Sequence, residues 1–316
     1  MTGLSMAELT VVAPAKINLH LEVLGLRQDG FHELAMLMQT IDLADRLVLE
    51  PTADARLELV CDRVDLPTDG SNLIVRAAQL LRQRSGYPEL GVRMQLHKRI
   101  PIGAGLAGGS SNGAAALVGL NALWGLGLGD EALRGLAAEL GSDMPFCLAG
   151  GAQLCFGRGE QLERLNPQPD EPLGVLLIKH AASSVSTPWA YGRCRALRSD
   201  FYLSTEAEFE QRRQALRQSP LLDALRRQAP FAPLRNDLQS VVAPELTPVR
   251  DGLELLQRCQ AAHAVAMSGS GPTLFALFGS RDDADAAAAQ LAPALEQGGF
   301  DVWVCSTTAT GAQLEP

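Results

Sequence analysis

A run of small residues, Pro101-Ile102-Gly103-Ala104-Gly105-Leu106-Ala107-Gly108-Gly109-Ser110-Ser111-Asn112, leads straight into a helical apolar pattern. Glycines let backbone amides approach a ligand with no Cβ in the way. A helix start brings unpaired N–H groups and the positive end of the helix dipole to the same place. Ser110 and Ser111 can cap that helix and offer hydroxyls to a phosphate or a metal. The segment therefore predicts an anion site at a helix N-terminus. Gly103, Gly105 and Gly108 formally match G-x-G-x-x-G, but the strand before them alternates and ends in Lys98-Arg99, which does not suit a dinucleotide fold. Gly109 stands where a Walker A loop needs lysine. The plain structural alternative is a glycine-rich turn that lets a helix of small residues pack closely on a sheet.

An anion site must here be local, because the 316-residue chain carries a net charge of -9. That charge also argues against general nucleic-acid binding. Hydrophobic content of 47% and charged content of 20% are those of an ordinary globular protein of one or two domains. No apolar run reaches membrane-spanning length, so no membrane partner is expected. The N-terminus does not read as a signal or transit peptide; Met1 to Glu8 reads as a loose leader, with Met6 as an alternative start. Cys61, Cys147, Cys155, Cys194, Cys259 and Cys305 form no Cys-x-x-Cys pair and no zinc-like spacing. Reduced, buried thiols and a cytoplasmic location are the expectation.

Ile17, Leu19, Leu21 and Val23 alternate with Asn18, His20 and Glu22, which predicts a half-buried strand. Leu47 to Leu49, Leu57 to Cys61 and Val92 to Leu96 repeat the pattern and predict an antiparallel sheet covered on one side. Helices are predicted from Ser71 (as N-cap) to Arg84, from about Ser111 to Trp124, and from Asp130 to a stop at Gly141. Asn166 to Pro172 is the candidate linker, dividing domains 1–165 and 172–316. A strand follows at Leu173 to Ile178, then a polar stretch from Arg193 to Arg227 expected as solvated helix and loop. Strands at Ala264 to Met267, Thr273 to Phe278 and Phe300 to Cys305 surround a helix from Asp282 to Leu295. Mixed strands and helices without strict alternation make the fold class α+β, with two domains.

Taken whole, Pro101 to Asn112 resembles the central phosphate loop of the GHMP kinases. Ala13-Pro14-Ala15-Lys16-Ile17-Asn18-Leu19 resembles that family's N-terminal motif, and Met267-Ser268-Gly269-Ser270-Gly271-Pro272-Thr273 its C-terminal glycine motif. Asp29-Gly30-Phe31-His32-Glu33-Leu34 is similar to the cytosine-recognising segment of the branch that acts on a cytidine diphosphate-linked methylerythritol. Gly141-Ser142-Asp143-Met144-Pro145-Phe146, Gly157-Arg158-Gly159-Glu160 and Arg235-Asn236-Asp237-Leu238 fit the same branch. Phe31 stands where tyrosine is frequent, Ala107 where glycine is frequent, and Arg158 where a small apolar residue is frequent. The resemblance implies an N-terminal S5-like α/β domain and a C-terminal α/β-plait domain with the active site between them. It implies transfer of the γ-phosphoryl group of ATP to an alcohol in isoprenoid precursor synthesis. The partners are then ATP and a cytidine diphosphate-linked polyol, with the chain a monomer or weak homodimer.

It also implies roles for individual residues. Asp143 is the candidate catalytic base, or alternatively the cap of a helix begun by Met144-Pro145. Lys16, one of only three lysines, is its candidate partner, or alternatively a charge at a strand edge. Pro101 to Ser111 is the candidate ATP site. His32 is expected to read the cytosine edge, with Phe31 or Tyr191 as a flat apolar face. Asn18, on the same strand face as Lys16, and Thr187 complete the substrate set. Mg2+ is implied because ATP phosphates need charge neutralisation, and Ser111 is the candidate ligand. Two rival functions remain: another small-molecule kinase of the family, of the mevalonate or homoserine type, and a non-catalytic nucleotide sensor.

Overall fold

The computed structural model describes residues 8–165, 171–198, 201–227 and 232–315. Most of the predicted leader and residues 166–170 of the predicted linker lie outside them.

Two long strands found the first sheet. β1 (Leu9–Leu26) and β2 (His32–Thr52) pair antiparallel along their length. β2 then serves two further partners in succession. Its first part pairs with β5 (Ala152–Gly157) and its second with β4 (Gly91–His97), both antiparallel. β3 (Leu57–Cys61) runs parallel to β4, joined to it through helix α1 (Leu73–Ser85). The expected all-antiparallel sheet therefore fails at this pair, because a helical crossover returns the chain in the same direction. β6 (Gln161–Arg164) extends the sheet beyond β5, and β11 (Gln313–Leu314) returns from the far end of the chain to pair with β1. The second sheet is antiparallel in the order β10 (Phe300–Ser306), β7 (Gly174–His180), β9 (Leu274–Phe278), β8 (Ala264–Met267).

Helices α2 (Gly108–Leu123), α3 (Asp130–Leu140) and α4 (Met144–Ala149) gather with α1 beside the first sheet. Between β7 and β8 the chain runs through α5 (Thr187–Arg198), α6 (Glu206–Arg217), α7 (Pro220–Arg227) and α8 (Gln239–Val242). Helices α9 (Thr247–Gln257) and α10 (Arg281–Gln297) pack on the second sheet.

One-sided burial of β1 does not hold. The two sheets bury a shared core in which Ile17, Leu37 and Leu154 of the first meet Val175, Phe275 and Leu277 of the second. Nor do the four alternating residues share a side. Ile17 and Leu19 enter this core, whereas Leu21 and Val23 enter the one under the helices. The cause is a register shift between Asn18 and His20, which turns the following side chains to the other face.

Asn72, not Ser71, caps α1: its side chain accepts a 2.9 Å hydrogen bond from the N–H of Ile74. Helix α2 starts at Gly108, earlier than the apolar pattern suggests. The polar stretch is helical, as expected, but Arg213 in α6 is only 9% exposed and pairs with the buried Glu33 of β2.

Helix α2 carries the glycine-rich loop, so its seat on the sheet sets where that loop lies. A Cβ at Gly119 would stand 2.3 Å from Leu49 Cδ1 and 2.6 Å from Val11 Cγ2. Gly119→Ala gains roughly 1 kcal/mol of helix propensity but overpacks a dry core, at a cost of about 1–3 kcal/mol. Because Val11 and Leu49 are fully buried and enclosed, the steric cost wins. The variant is expected to melt a few degrees below the parent in a thermal scan.

Candidate active site

The glycine-rich loop turns on left-handed residues: Gly103 at φ 62°, Gly105 at φ 73° and Ala107 at φ 55°. Its glycines do different work. At Gly103 and Gly109 the space a Cβ would take is open, as a cradle for phosphate oxygens requires. At Gly105 a Cβ would stand 2.2 Å from the Ser268 carbonyl oxygen, so this glycine permits contact between the loop and the C-terminal glycine motif. Ala107 adopts a conformation that costs an L-residue roughly 1–2 kcal/mol, which accounts physically for glycine at such a position.

Beneath the loop, the fully buried Asp45 carboxylate accepts from the N–H groups of Arg99 at 2.7 Å and Ile100 at 2.9 Å, and from Asn112 Nδ2 at 2.8 Å. Lys98 Nζ also pairs with Asp45. This anchor was not foreseen. Its only sequence signal is the rarity of lysine, and nothing marks Asp45 as the partner of a lysine 53 positions away.

Lys16 is 4% exposed on β1. Its Nζ donates to Asn18 Oδ1 at 2.7 Å and to the Gly105 carbonyl at 2.9 Å. Ser268 Oγ donates to the same carbonyl at 3.0 Å. Burial lowers the Lys16 pKa, and the negative charge of Asp143 opposes that shift. No direct ion pair between them is found among the described residues; Lys16 spends its hydrogen bonds on Asn18 and Gly105, so the expected Lys16–Asp143 contact is replaced by a longer-range attraction. Asp143 heads α4 at the N-cap position, yet its side chain makes no capping hydrogen bond. The carboxylate faces the cavity instead, bordered by Gly159, whose Cβ would stand 3.5 Å from Asp143 Oδ1.

At the other end, the His32 ring stacks on Tyr191 of α5 at 4.8 Å and meets Tyr202 edge-on at 5.6 Å. Its Nε2 is buried with no hydrogen-bond partner. Burial, and then the Arg195 charge, lower the His32 pKa, so the neutral imidazole is favoured. Phe31 is 51% exposed and carries the Arg158 guanidinium 5.0 Å from its ring centre. Thr187 Oγ1 lies 3.0 Å from Ser270 Oγ, tying α5 to the C-terminal glycine motif. Asn236 holds that motif from below, its Nδ2 donating to the carbonyls of Met267 at 2.7 Å and Gly269 at 2.9 Å.

Most of these groups border one cavity of about 880 Å³, lined from both sheets' sides. It brings together Lys16, Asn18, Phe31, His32, the loop from Pro101 to Ser110, Asp143, Thr187 and Tyr191. Ser111 is the exception. It is fully buried, and its hydroxyl donates to the Pro14 carbonyl at 2.7 Å, so it holds the N-terminal motif against α2 and does not reach a ligand. Ser110 is the serine on the cavity wall. Lys98, Arg195 and Ser270 line the cavity as well and were not singled out from sequence.

Comparison with known proteins shows the family. Residues 72–151 match the GHMP kinases N terminal domain and residues 214–296 match the GHMP kinases C terminal. The 4-diphosphocytidyl-2-C-methyl-D-erythritol kinase of Synechococcus sp. (strain CC9605) is 62% identical over 97% of this chain and 99% of its own. The chain belongs to the GHMP kinase family. The same-named protein of Prochlorococcus marinus (strain MIT 9303) is 59% identical to this kinase, over 97% of this chain and 95% of its own. A solved structure of 4-(cytidine 5'-diphospho)-2C-methyl-D-erythritol kinase superposes with a TM-score of 0.74 at 34% identity, over 94% of this chain and 98% of that one. Homoserine kinase from Cytophaga hutchinsonii ATCC 33406 superposes equally well, with a TM-score of 0.74 over 100% of both chains, but at 18% identity shares the fold alone.

Two outcomes follow from the geometry. Gly269 sits at φ 55°, and a Cβ there would stand 2.9 Å from the Gly105 carbonyl and 3.1 Å from Lys16 Nζ. Gly269→Ala is expected to push the lysine off its partners and cut kcat by roughly 10²-fold, as misplacement of a reacting group by about 1 Å does; steady-state kinetics beside circular dichroism checks this. For His32, the folded pKa lies below the ordinary value of 6.5, so the unfolded state binds the proton more readily. Stability is therefore full above pH 6.5 and falls as pH drops toward the lowered folded value. Denaturant melts across that window should show this slope in the parent and lose it in His32→Gln.

Proposed function

We propose that this kinase transfers the γ-phosphoryl group of ATP to the 2-hydroxyl of 4-diphosphocytidyl-2-C-methyl-D-erythritol, giving the 2-phosphate and ADP. The observation that carries the reading is the shape of the cavity. An open glycine cradle and a free carboxylate lie within the same cavity as a stacked His32–Tyr191 pair that has a buried, unsatisfied ring nitrogen. A kinase for mevalonate or homoserine has no base to place against that pair. The near-full-length relatives bearing the cytidyl substrate in their name support the same choice.

The ATP phosphates lie along Gly103 to Ser110, where the cradle is open and the first N–H groups of α2 are unpaired. Asp143, free of capping, accepts the proton of the substrate hydroxyl as its oxygen attacks the γ-phosphorus and the bond to ADP breaks. Lys16, fixed by Asn18 and Gly105, sets a positive charge beside the transferring group. Its burial removes competing water, which strengthens that charge, and Asp143 helps keep it protonated. His32 offers its neutral ring to the base edge, and Tyr191 and Phe31 offer flat faces.

Among the described residues no cluster of three or more His, Cys, Asp or Glu side chains forms a metal cage. That suits Mg2+ held chiefly by ATP phosphates and water, with Ser110, on the cavity wall, as the protein group that would hold it. The ion neutralises phosphate charge when bound. The six thiols, all free, suit the cytosol; the chain divides into working domains at 1–165 and 172–316, with Gln313–Leu314 crossing back to complete the first sheet.

Asp143→Asn is expected to lower kcat by on the order of 10²–10⁴-fold while ATP affinity stays unchanged by calorimetry. Product formation would be followed with 4-diphosphocytidyl-2-C-methyl-D-erythritol, mevalonate and homoserine in parallel. Turnover of mevalonate or homoserine alone overturns the cytidyl assignment. Near-parental turnover by Asp143→Asn removes Asp143 as the base.

A further inference from the structure

The turn Gly157–Glu160, between β5 and β6, reaches both ends of the cavity. At Gly159 it borders Asp143, with 3.5 Å from a Cβ position to Oδ1. At Arg158 it borders the aromatic end, through the guanidinium carbon 5.0 Å from the Phe31 ring centre. Arg158 therefore stands between the reacting carboxylate and the base pocket, on the wall of the same cavity.

Its charge is paired only loosely by the protein: Glu160 forms an ion pair without a side-chain hydrogen bond, and Asp29 feels the charge at longer range. Glu160 receives the backbone N–H of Arg158 at 2.7 Å, but its nearest approach to the guanidinium is 3.6 Å, at Nε. That is too long for a hydrogen bond. The terminal guanidinium nitrogens have no partner among the described residues, and the side chain is 29% exposed. A guanidinium held over an aromatic ring, with its terminal nitrogens free, can offer its planar fork to phosphate oxygens.

The other cations of the cavity are placed elsewhere. Lys98 is consumed by Asp45 and Asn112. Lys16 is committed at the reacting end, and Arg195 acts on His32 at the base end. A chain of net charge -9 offers a diphosphate no general attraction. We propose that Arg158, braced on Phe31, binds the diphosphate that links the nucleoside to the polyol of the substrate, and so discriminates a nucleoside diphosphate from a bare nucleoside. The proposal rests on the cytidyl reading above.

Calorimetry with cytidine and with cytidine diphosphate tests it, using the full chain with the ATP site filled by a non-hydrolysable ATP analogue. The parent should bind cytidine diphosphate more tightly than cytidine. Arg158→Met should lose about 10- to 100-fold of the diphosphate affinity, the range for a charge-assisted contact, with cytidine affinity unchanged. Arg158→Lys should recover part of the loss, keeping the charge but not the fork. In turnover, KM for the cytidyl substrate should rise by a similar factor, kcat should fall far less, and KM for ATP should stay put. An Arg158→Met protein that keeps the parental ratio of the two affinities overturns the proposal and leaves the cytidyl reading standing. A parent that binds neither ligand overturns the cytidyl reading itself.

Discussion

The carbonyl oxygen of Gly105 is the junction on which the site depends. It accepts from Lys16 Nζ and from Ser268 Oγ, and so joins β1, the phosphate loop and the C-terminal glycine motif at one atom. A buried ammonium is tolerable only when its protons are satisfied. Here the satisfying groups are Asn18, two positions on, and Gly105, 89 positions away, whose carbonyl Ser268 also holds. The second domain reaches this junction through Ser268, which holds the carbonyl that Lys16 uses. The requirement for glycine on both sides of the junction follows, because a Cβ at Gly105 or Gly269 would occupy the space of the partner backbone.

A second buried network holds the loop from the opposite side. Asp45 accepts from two backbone N–H groups, an amide and an ammonium, all from the strand end and helix that flank the loop. Acidic overall, the protein meets anionic ligands with backbone N–H groups, one helix end and a few fixed cations. That arrangement makes phosphate binding a matter of position more than of net charge. The aromatic end works differently. His32, Tyr191 and Tyr202 form an aromatic wall, and the buried, unpartnered His32 Nε2 and Tyr202 hydroxyl are its directional features.

Much of this was legible beforehand. The glycine run, the helix after it, Lys16 and Asn18 on one strand face, and the His32 segment all reach the cavity. They were legible because each is a local pattern whose physics needs only neighbours in sequence. The failures share the opposite property. Side-chain facing along β1 was misread because a register shift after Asn18 depends on pairing with β2. One-sided burial was misread because the second sheet covers the first. Ser111 was misassigned because its hydroxyl finds Pro14, 97 positions away, and the adjacent Ser110 takes the open side.

By itself the sequence determined that a run of small residues would lead into a helix start, that strands and helices would be mixed, and which family the chain resembles. The first two follow from steric freedom at glycine, hydrophobic periodicity and capping, all of which act over a few residues. The tertiary structure alone decided that Asp143 would be free of its helix, that Lys16 would be held by the phosphate loop and not by Asp143, and that Arg158 would rest on Phe31 with its fork unpaired. Each of these is a contact between distant segments. Its existence depends on how two sheets close over a common core, which no local pattern encodes.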